Sequence, residues 1–172
     1  WLFFTVFGML PFYFSGSIDT ITNAFFETMS GFTTTGATIL DDIESLSHGM
    51  LFWRSLTQWI GGLGIVFFTI AILPIFTTGG VQLFSAETTG VTHDRTHPKI
   101  NVMAKWLWTI YLILTVSETI LLMFGGMDLF DAICQSFATT ATGGYSTKQN
   151  SISYWNSPYI EYVVAIFMII SS

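Results

Sequence analysis

The stretch FTTTGAT at positions 32–38 follows directly on an apolar run, IDTITNAFFETMSGF at 18–32. Threonine is a weak helix former and glycine a weaker one, so this block ends a helix instead of continuing it. It is also small, polar and flexible in a chain otherwise rich in large apolar side chains. A related stretch, TATGGYS at 140–146, follows a second short apolar run much later in the chain. The pair decides how everything around it is read.

Of the 172 residues, 51% are hydrophobic and only 9% charged, whereas ordinary soluble domains carry about a quarter charged residues. The mean hydropathy is +0.61, and seventeen phenylalanines suit a lipid-facing surface better than a wet one. This composition predicts an all-α integral membrane protein in contact with lipid. Cys134 is the single cysteine, which excludes an intrachain disulfide and a cysteine-based metal cluster. The opening WLFFTVFGMLPFYF has no basic n-region and no small-residue cleavage site, so it does not read as a signal peptide. Both ends run into apolar segments, which predicts a piece of a longer membrane protein.

A membrane helix needs about 20 apolar residues. Two blocks meet that length, 50–73 (ended by Pro74) and 102–124 (ended by Gly125 and Gly126), and 1–14 and 160–172 are partial spans. The runs at 18–32 and 128–140 are too short to cross and read as re-entrant half-helices. Irregular backbone at membrane depth is tolerated only inside protein or beside a water-filled cavity. The predicted organisation is a first unit at 1–74, with its half-helix at 18–32, Thr/Gly segment at 33–38 and inner helix at 50–73. A connection at 75–101 leads to a second unit at 102–172. There the outer helix is 102–124, the half-helix 128–140, the Thr/Gly segment 141–146 and the inner helix 160–172.

The repeat survives alignment at one fixed offset of 108 residues. Asn23 falls on Asp131, Ala24 on Ala132, Glu27 on Gln135, Thr28 on Ser136, Thr34 on Thr142 and Gly36 on Gly144. Upstream, Gly16-Ser17 falls on Phe124-Gly125. Charge sets the orientation. His93, Arg95, His97, Lys99 and Lys105 gather in or beside the connection, which the positive-inside rule assigns to the cytoplasm. Asp41, Asp42 and Glu44 then form an acidic outer rim that concentrates cations.

Ion filters replace a cation's hydration shell with backbone carbonyls. That requires a short extended segment with glycine where unusual dihedrals are needed, and threonine hydroxyls add further oxygens. A half-helix aims its partially negative C-terminus at the ion. Thr34-Thr35-Gly36 and Thr142-Gly143-Gly144 meet these demands, with Thr33 and Ala141 as filter support; Glu27 and Gln135 either brace the filter from behind by hydrogen bonds or pack in the core without that role.

The motifs MSGFTTTGATIL, WRSLTQWIGGLGIVFFTIAILP, QLFSAETTG and ATGGYST resemble the Trk/Ktr/HKT superfamily of potassium uptake proteins, of the TrkH type. The resemblance covers nearly the whole chain. It implies helix–pore-loop–helix units as in K+ channels, pseudo-four-fold in the full-length protein, around one K+ pathway in the plasma (inner) membrane of a bacterium or archaeon. It implies that Gly36 and Gly144 are two of four filter glycines, and that the carbonyls of Thr34, Thr35, Thr142 and Gly143 contribute to K+ sites. Serine in place of a filter glycine goes with Na+ preference in plant members, so two glycines imply K+. A homodimer and a cytoplasmic nucleotide-binding regulatory subunit are implied as partners. K+ is the substrate ion, and neither an organic cofactor nor nucleic acid is expected. Two further units and an arginine near the pore constriction have no counterpart in this sequence.

Other features have plainer readings. Gly61, Gly62 and Gly64 lie mid-span without a preceding strand and read as close helix packing, not a nucleotide loop. His93 and His97 have metal-pair spacing but lack a third ligand, and read as solvated surface or a contact with the regulatory subunit. Glu118 sits inside a span, where a charge is expensive; a functional role and a simple bond to the outer side or a half-helix hydroxyl both stay open. Arg54 and Gln58, one turn apart near the outer end of their helix, read as an ion pair with the Asp41, Asp42 and Glu44 rim, with a selectivity role as the alternative. Trp53, Trp59, Trp106 and Trp108 read as interfacial anchors. Two rivals remain. An alternating-access transporter for an anion would turn half-helix N-termini to its site, whereas here the C-termini carry the loops. A membrane-embedded enzyme would need clustered catalytic groups, and the spans offer only Glu118; no enzymatic activity is expected.

Overall fold

The computed structural model describes residues 1–65 and 97–171. The end of the expected 50–73 helix, Pro74, and His93 and Arg95 of the connection lie outside the described residues. Among the described residues the chain is helical and contains no strand. Helices α1 (Leu2–Gly8) and α2 (Leu10–Phe14) form the first apolar segment, bent just before Pro11, which has no N–H to donate. Helix α3 (Ile21–Phe32) is the first half-helix, and a helix at 48–65, α4, follows a long irregular return. Helix α5 (His97–Phe124) leads to the second half-helix, α6 (Leu129–Thr140). A 3-10 turn (Ser151–Trp155) and α7 (Pro158–Ser171) complete the described chain.

The described part of α5 begins at His97, five residues before the expected start at 102. The half-helices also start later than the expected 18 and 128, because each waits for a capping side chain. The Thr20 hydroxyl accepts from the Asn23 amide at 3.3 Å, and the Asp128 carboxylate accepts from the Phe130 amide at 3.2 Å. Caps and helix limits all obey the 108 offset: Thr20 to Asp128, Ile21 to Leu129, Phe32 to Thr140. Upstream that register fails. The left-handed glycine that ends the preceding helix is Gly16 in one unit (φ 68°) and Gly126 in the other (φ 95°), an offset of 110, so Gly16 does not correspond to Phe124. The first turn is two residues longer.

Each unit has its own small apolar core. One joins Phe12, Ile18, Ala24, Ile43, Leu46, Met50 and Leu51, and the other Leu122, Met127, Ala132, Ile160, Val163 and Val164. Between them the interior is polar: Glu27, Arg54, Gln58 and Glu118 are each at most 2% exposed. Outward, α5 presents Trp106, Ile110, Ile113, Val116, Ile120, Met123 and Phe124 to the surroundings. Buried charged and amide side chains, together with large apolar ones left exposed, depart from the pattern of a soluble protein.

Candidate functional site

Both half-helices end in the same hydrogen-bonded turn. The Thr35 amide donates to the Ser30 carbonyl and the Thr34 amide to that of Gly31, each at 2.9 Å. In the second unit the Gly143 amide donates to Ala138 at 2.8 Å and the Thr142 amide to Thr139 at 2.9 Å. This 6→1 and 5→2 pair is a Schellman turn, which needs a left-handed residue just past the cap and normally takes glycine there. Here the position holds threonine twice, with φ 54° at Thr34 and 53° at Thr142. A β-branched residue in that region costs on the order of 1–3 kcal/mol, and such strain collects at functional sites. Two residues on, Gly36 (φ 76°) and Gly144 (φ 81°) are left-handed again. The unusual dihedrals therefore alternate, at 34 and 36 and again at 142 and 144.

The two loops touch. A Cβ on Gly36 would collide with the carbonyl oxygen of Gly143, so only a glycine fits at that contact. Thr35, Thr142 and Gly144 are exposed on the open side of the loops, whereas Gly143 and Ala141 are buried. The filter residues expected from sequence are thus brought together as one two-sided feature, with Thr33 hydrogen-bonded to Thr35 through their hydroxyls at 2.8 Å.

Helix α4 is the wall behind both loops. Positions 54, 57–58 and 61–62 share one helical face. A Cβ on Gly61 would meet the Phe32 carbonyl, and one on Gly62 would meet Ala141 and the Tyr111 hydroxyl, so these glycines seat the ends of both half-helices. The Gln58 side chain lies against Gly143, and its Oε1 accepts from the Tyr145 amide at 3.1 Å. Its Nε2 is buried without a partner.

Arg54 departs from expectation. It does not reach Asp41, Asp42 or Glu44, which stay exposed. Its Nε donates to Glu27 Oε1 at 2.7 Å, with both side chains buried. Its Nη1 donates to the Ser146 carbonyl at 3.0 Å, and its guanidinium lies 3.6 Å from the centre of the Tyr145 ring. The reason is electrostatic: a buried carboxylate is far costlier to leave unpaired than a rim carboxylate already in water. Glu27 meanwhile accepts from the Thr38 hydroxyl (2.9 and 3.0 Å) and the Ile39 amide (3.1 Å), holding the first loop's return. The Tyr145 hydroxyl donates to the Glu27 carbonyl at 2.9 Å.

Gln135 does not mirror Glu27, and its Oε1 is buried without a partner. The second loop's return is held instead by Asp131, one turn earlier, which accepts from the Thr147 hydroxyl at 2.8 Å and lies 3.9 Å from the Lys148 amine. Sequence reading missed Asp131 and Tyr145. The first was visible as an acid in the half-helix; the second carries its meaning only through the cross-unit contact. Glu118 is fully buried, with Oε2 3.5 Å from the Thr140 hydroxyl at the end of α6, so its partner is a half-helix hydroxyl and not the outer side. Trp53 and Trp59 are half-buried and bonded within the protein. Their ring N–H groups donate to the Gly8 carbonyl (3.0 Å) and the Thr115 hydroxyl (3.1 Å), tying helices together. Trp106 is exposed as an anchor would be.

A family model described as "TrkH: Cation transport protein" matches residues 1–172. The chain belongs to the TrkH family. It is 53% identical to the Trk system potassium uptake protein TrkH of Escherichia coli (strain K12), with 99% of the chain and 36% of that relative aligned. It is 36% identical to the Trk system potassium uptake protein TrkG of the same organism, over 100% of the chain and 36% of the relative. The crystal structure of the potassium transporter TrkH from Vibrio parahaemolyticus superposes with a TM-score of 0.80 at 39% identity, covering 98% of this chain and 34% of that one. The chain thus spans about a third of the length of the TrkH-family proteins it matches.

Proposed function

We propose that the chain supplies two helix–pore-loop–helix units, 1–74 and 102–172 joined by the connection 75–101, to the K+ pathway of a membrane-embedded potassium uptake protein. The observation that carries this reading is the alternation of left-handed residues at 34/36 and 142/144, on two loops that hang from identical half-helix ends and meet at Gly36 and Gly143. Alternating dihedrals turn successive carbonyls toward one side, which is what replacing a hydration shell demands. In this reading the carbonyls of Thr34, Thr35, Thr142 and Gly143 face K+, Gly36 and Gly144 supply the needed dihedrals, and both half-helices point their negative ends at the ion. Transport is permeation of a dehydrated cation, with no bond made or broken.

Membrane placement is supported by buried charged side chains beside exposed apolar ones, and by Lys105–Phe124, a 20-residue stretch of α5 whose mean hydropathy reaches 1.8. The inner membrane, surrounding lipid, a homodimer and a cytoplasmic nucleotide-binding subunit are carried over from the family resemblance. The names of the relatives speak of a Trk system of potassium uptake, and that cargo is taken for this chain as well.

The test is ion selectivity in the full-length parent. Gly36→Ser places a side chain on the Gly143 carbonyl at a left-handed position, and a fall in K+/Na+ discrimination in an uptake assay is the expected outcome. Unchanged uptake and selectivity in both Gly36→Ser and Gly144→Ser would reject the filter assignment.

A further inference from the structure

Arg54 sits where both loops are held at once, and that placement gives it a role beyond pairing a buried acid. On one side it binds Glu27, whose other bonds hold Thr38 and Ile39 on the return of the first loop. On the other it binds the Ser146 carbonyl and stacks on Tyr145, two residues of the second loop. Tyr145 closes the circle by donating to the Glu27 carbonyl. Three contacts from two units therefore converge on one guanidinium, and the Arg54 side chain is 2% exposed.

We propose that Arg54 is a positioning residue for ion discrimination: it clamps the first and second loops at a fixed spacing and so sets the width of the cation site between them. The proposal rests on the filter reading above. Arginine suits the task for physical reasons. Its planar fork binds the carboxylate and the carbonyl in different directions, while its flat face lies on an aromatic ring. A lysine provides one mobile point charge and cannot hold all three contacts in a fixed geometry. Rigid second contacts matter because a site loosened by about 1 Å loses most of what its geometry provides.

The clamp is distinct from the hydrogen-bonded turns at 34–35 and 142–143, which lie within single units. It also differs from the link at the outer end. There the Gln149 side chain accepts from the Ile43 amide and the Gln149 amide donates to Glu44, at 3.1 and 3.2 Å. Those bonds join the returning loops beyond the glycines; Arg54 joins them beside the glycines.

The experiment uses the full-length parent in proteoliposomes, measuring K+, Rb+ and Na+ uptake for three forms. Arg54→Lys keeps the charge and loses the fork and the flat face. Glu27→Gln with Arg54→Met removes both charges together, which buried pairs tolerate better than the loss of one partner. Gly36→Ser reports on the filter itself. A merely structural role would lower the amount of folded protein and leave the ion ratios of the folded fraction at parental values. The clamp instead predicts a folded Arg54→Lys protein whose K+/Na+ ratio falls roughly tenfold, with a larger fall in the double variant. Parental ratios in folded Arg54→Lys and in the double variant would overturn the clamp, and so would failure of both to fold, since that assigns Arg54 to the core alone. If Gly36→Ser, together with the Gly144→Ser form of the filter test, also kept the parental ratio, the filter reading itself would fall; if Gly36→Ser lost discrimination while the Arg54 variants kept it, only the clamp would.

Discussion

At the residue scale the informative positions are Thr34 and Thr142. Each occupies the left-handed slot of a Schellman turn that glycine would fill without strain. A threonine retained there trades stability for its hydroxyl and the stiffness of a branched side chain. Thr142→Gly removes that strain and adds back unfolded-chain entropy, so a net gain of about 1 kcal/mol is expected, read as a higher thermal midpoint in detergent, together with weaker K+ uptake. The TTTG pattern was legible in sequence as a loop with unusual dihedrals. Which residue takes them was not, because glycine was the natural candidate and the turn's own bonding shifts the first one onto threonine. Arg54 was illegible for another reason. From sequence it has a nearby exposed acidic rim and a distant acid in a half-helix, and only burial decides between them.

At the element scale α4 is the wall shared by both loops. Its 54–58–61–62 face meets the end of each half-helix and the backbone of the second loop. Sequence reading recognised Gly61 and Gly62 as packing glycines but could not name their partners, since those are the Phe32 carbonyl and Ala141 on two different units. Gly61→Val pushes a branched side chain into the Phe32 carbonyl, which yields only by moving the half-helix. Overpacking of this kind costs about 1–3 kcal/mol, and a lower yield of folded protein on size-exclusion chromatography in detergent is expected, with reduced uptake in what folds. The half-helices themselves were almost wholly legible. Their caps, limits and terminal turns all follow the 108 offset, while the left-handed glycines of the upstream turns stand 110 apart.

At the scale of the whole molecule, the two repeated parts meet through buried polar contacts, while α5 presents apolar side chains outward. The doubling of the short helix and its Thr/Gly turn was legible, because helix length and Thr/Gly breaks are local properties of the chain. The asymmetry between units was not. Glu27 holds the first return, and Asp131, one turn earlier, holds the second, so aligned residues such as Gln135 need not share a task. The central claim concerns where a cation sits. It is tested most directly by the anomalous scattering of Rb+ in crystals of the full-length parent. The two-loop site predicts density between the carbonyls of Thr34, Thr35, Thr142 and Gly143. Rb+ bound elsewhere along the protein, with none between these carbonyls, would contradict it.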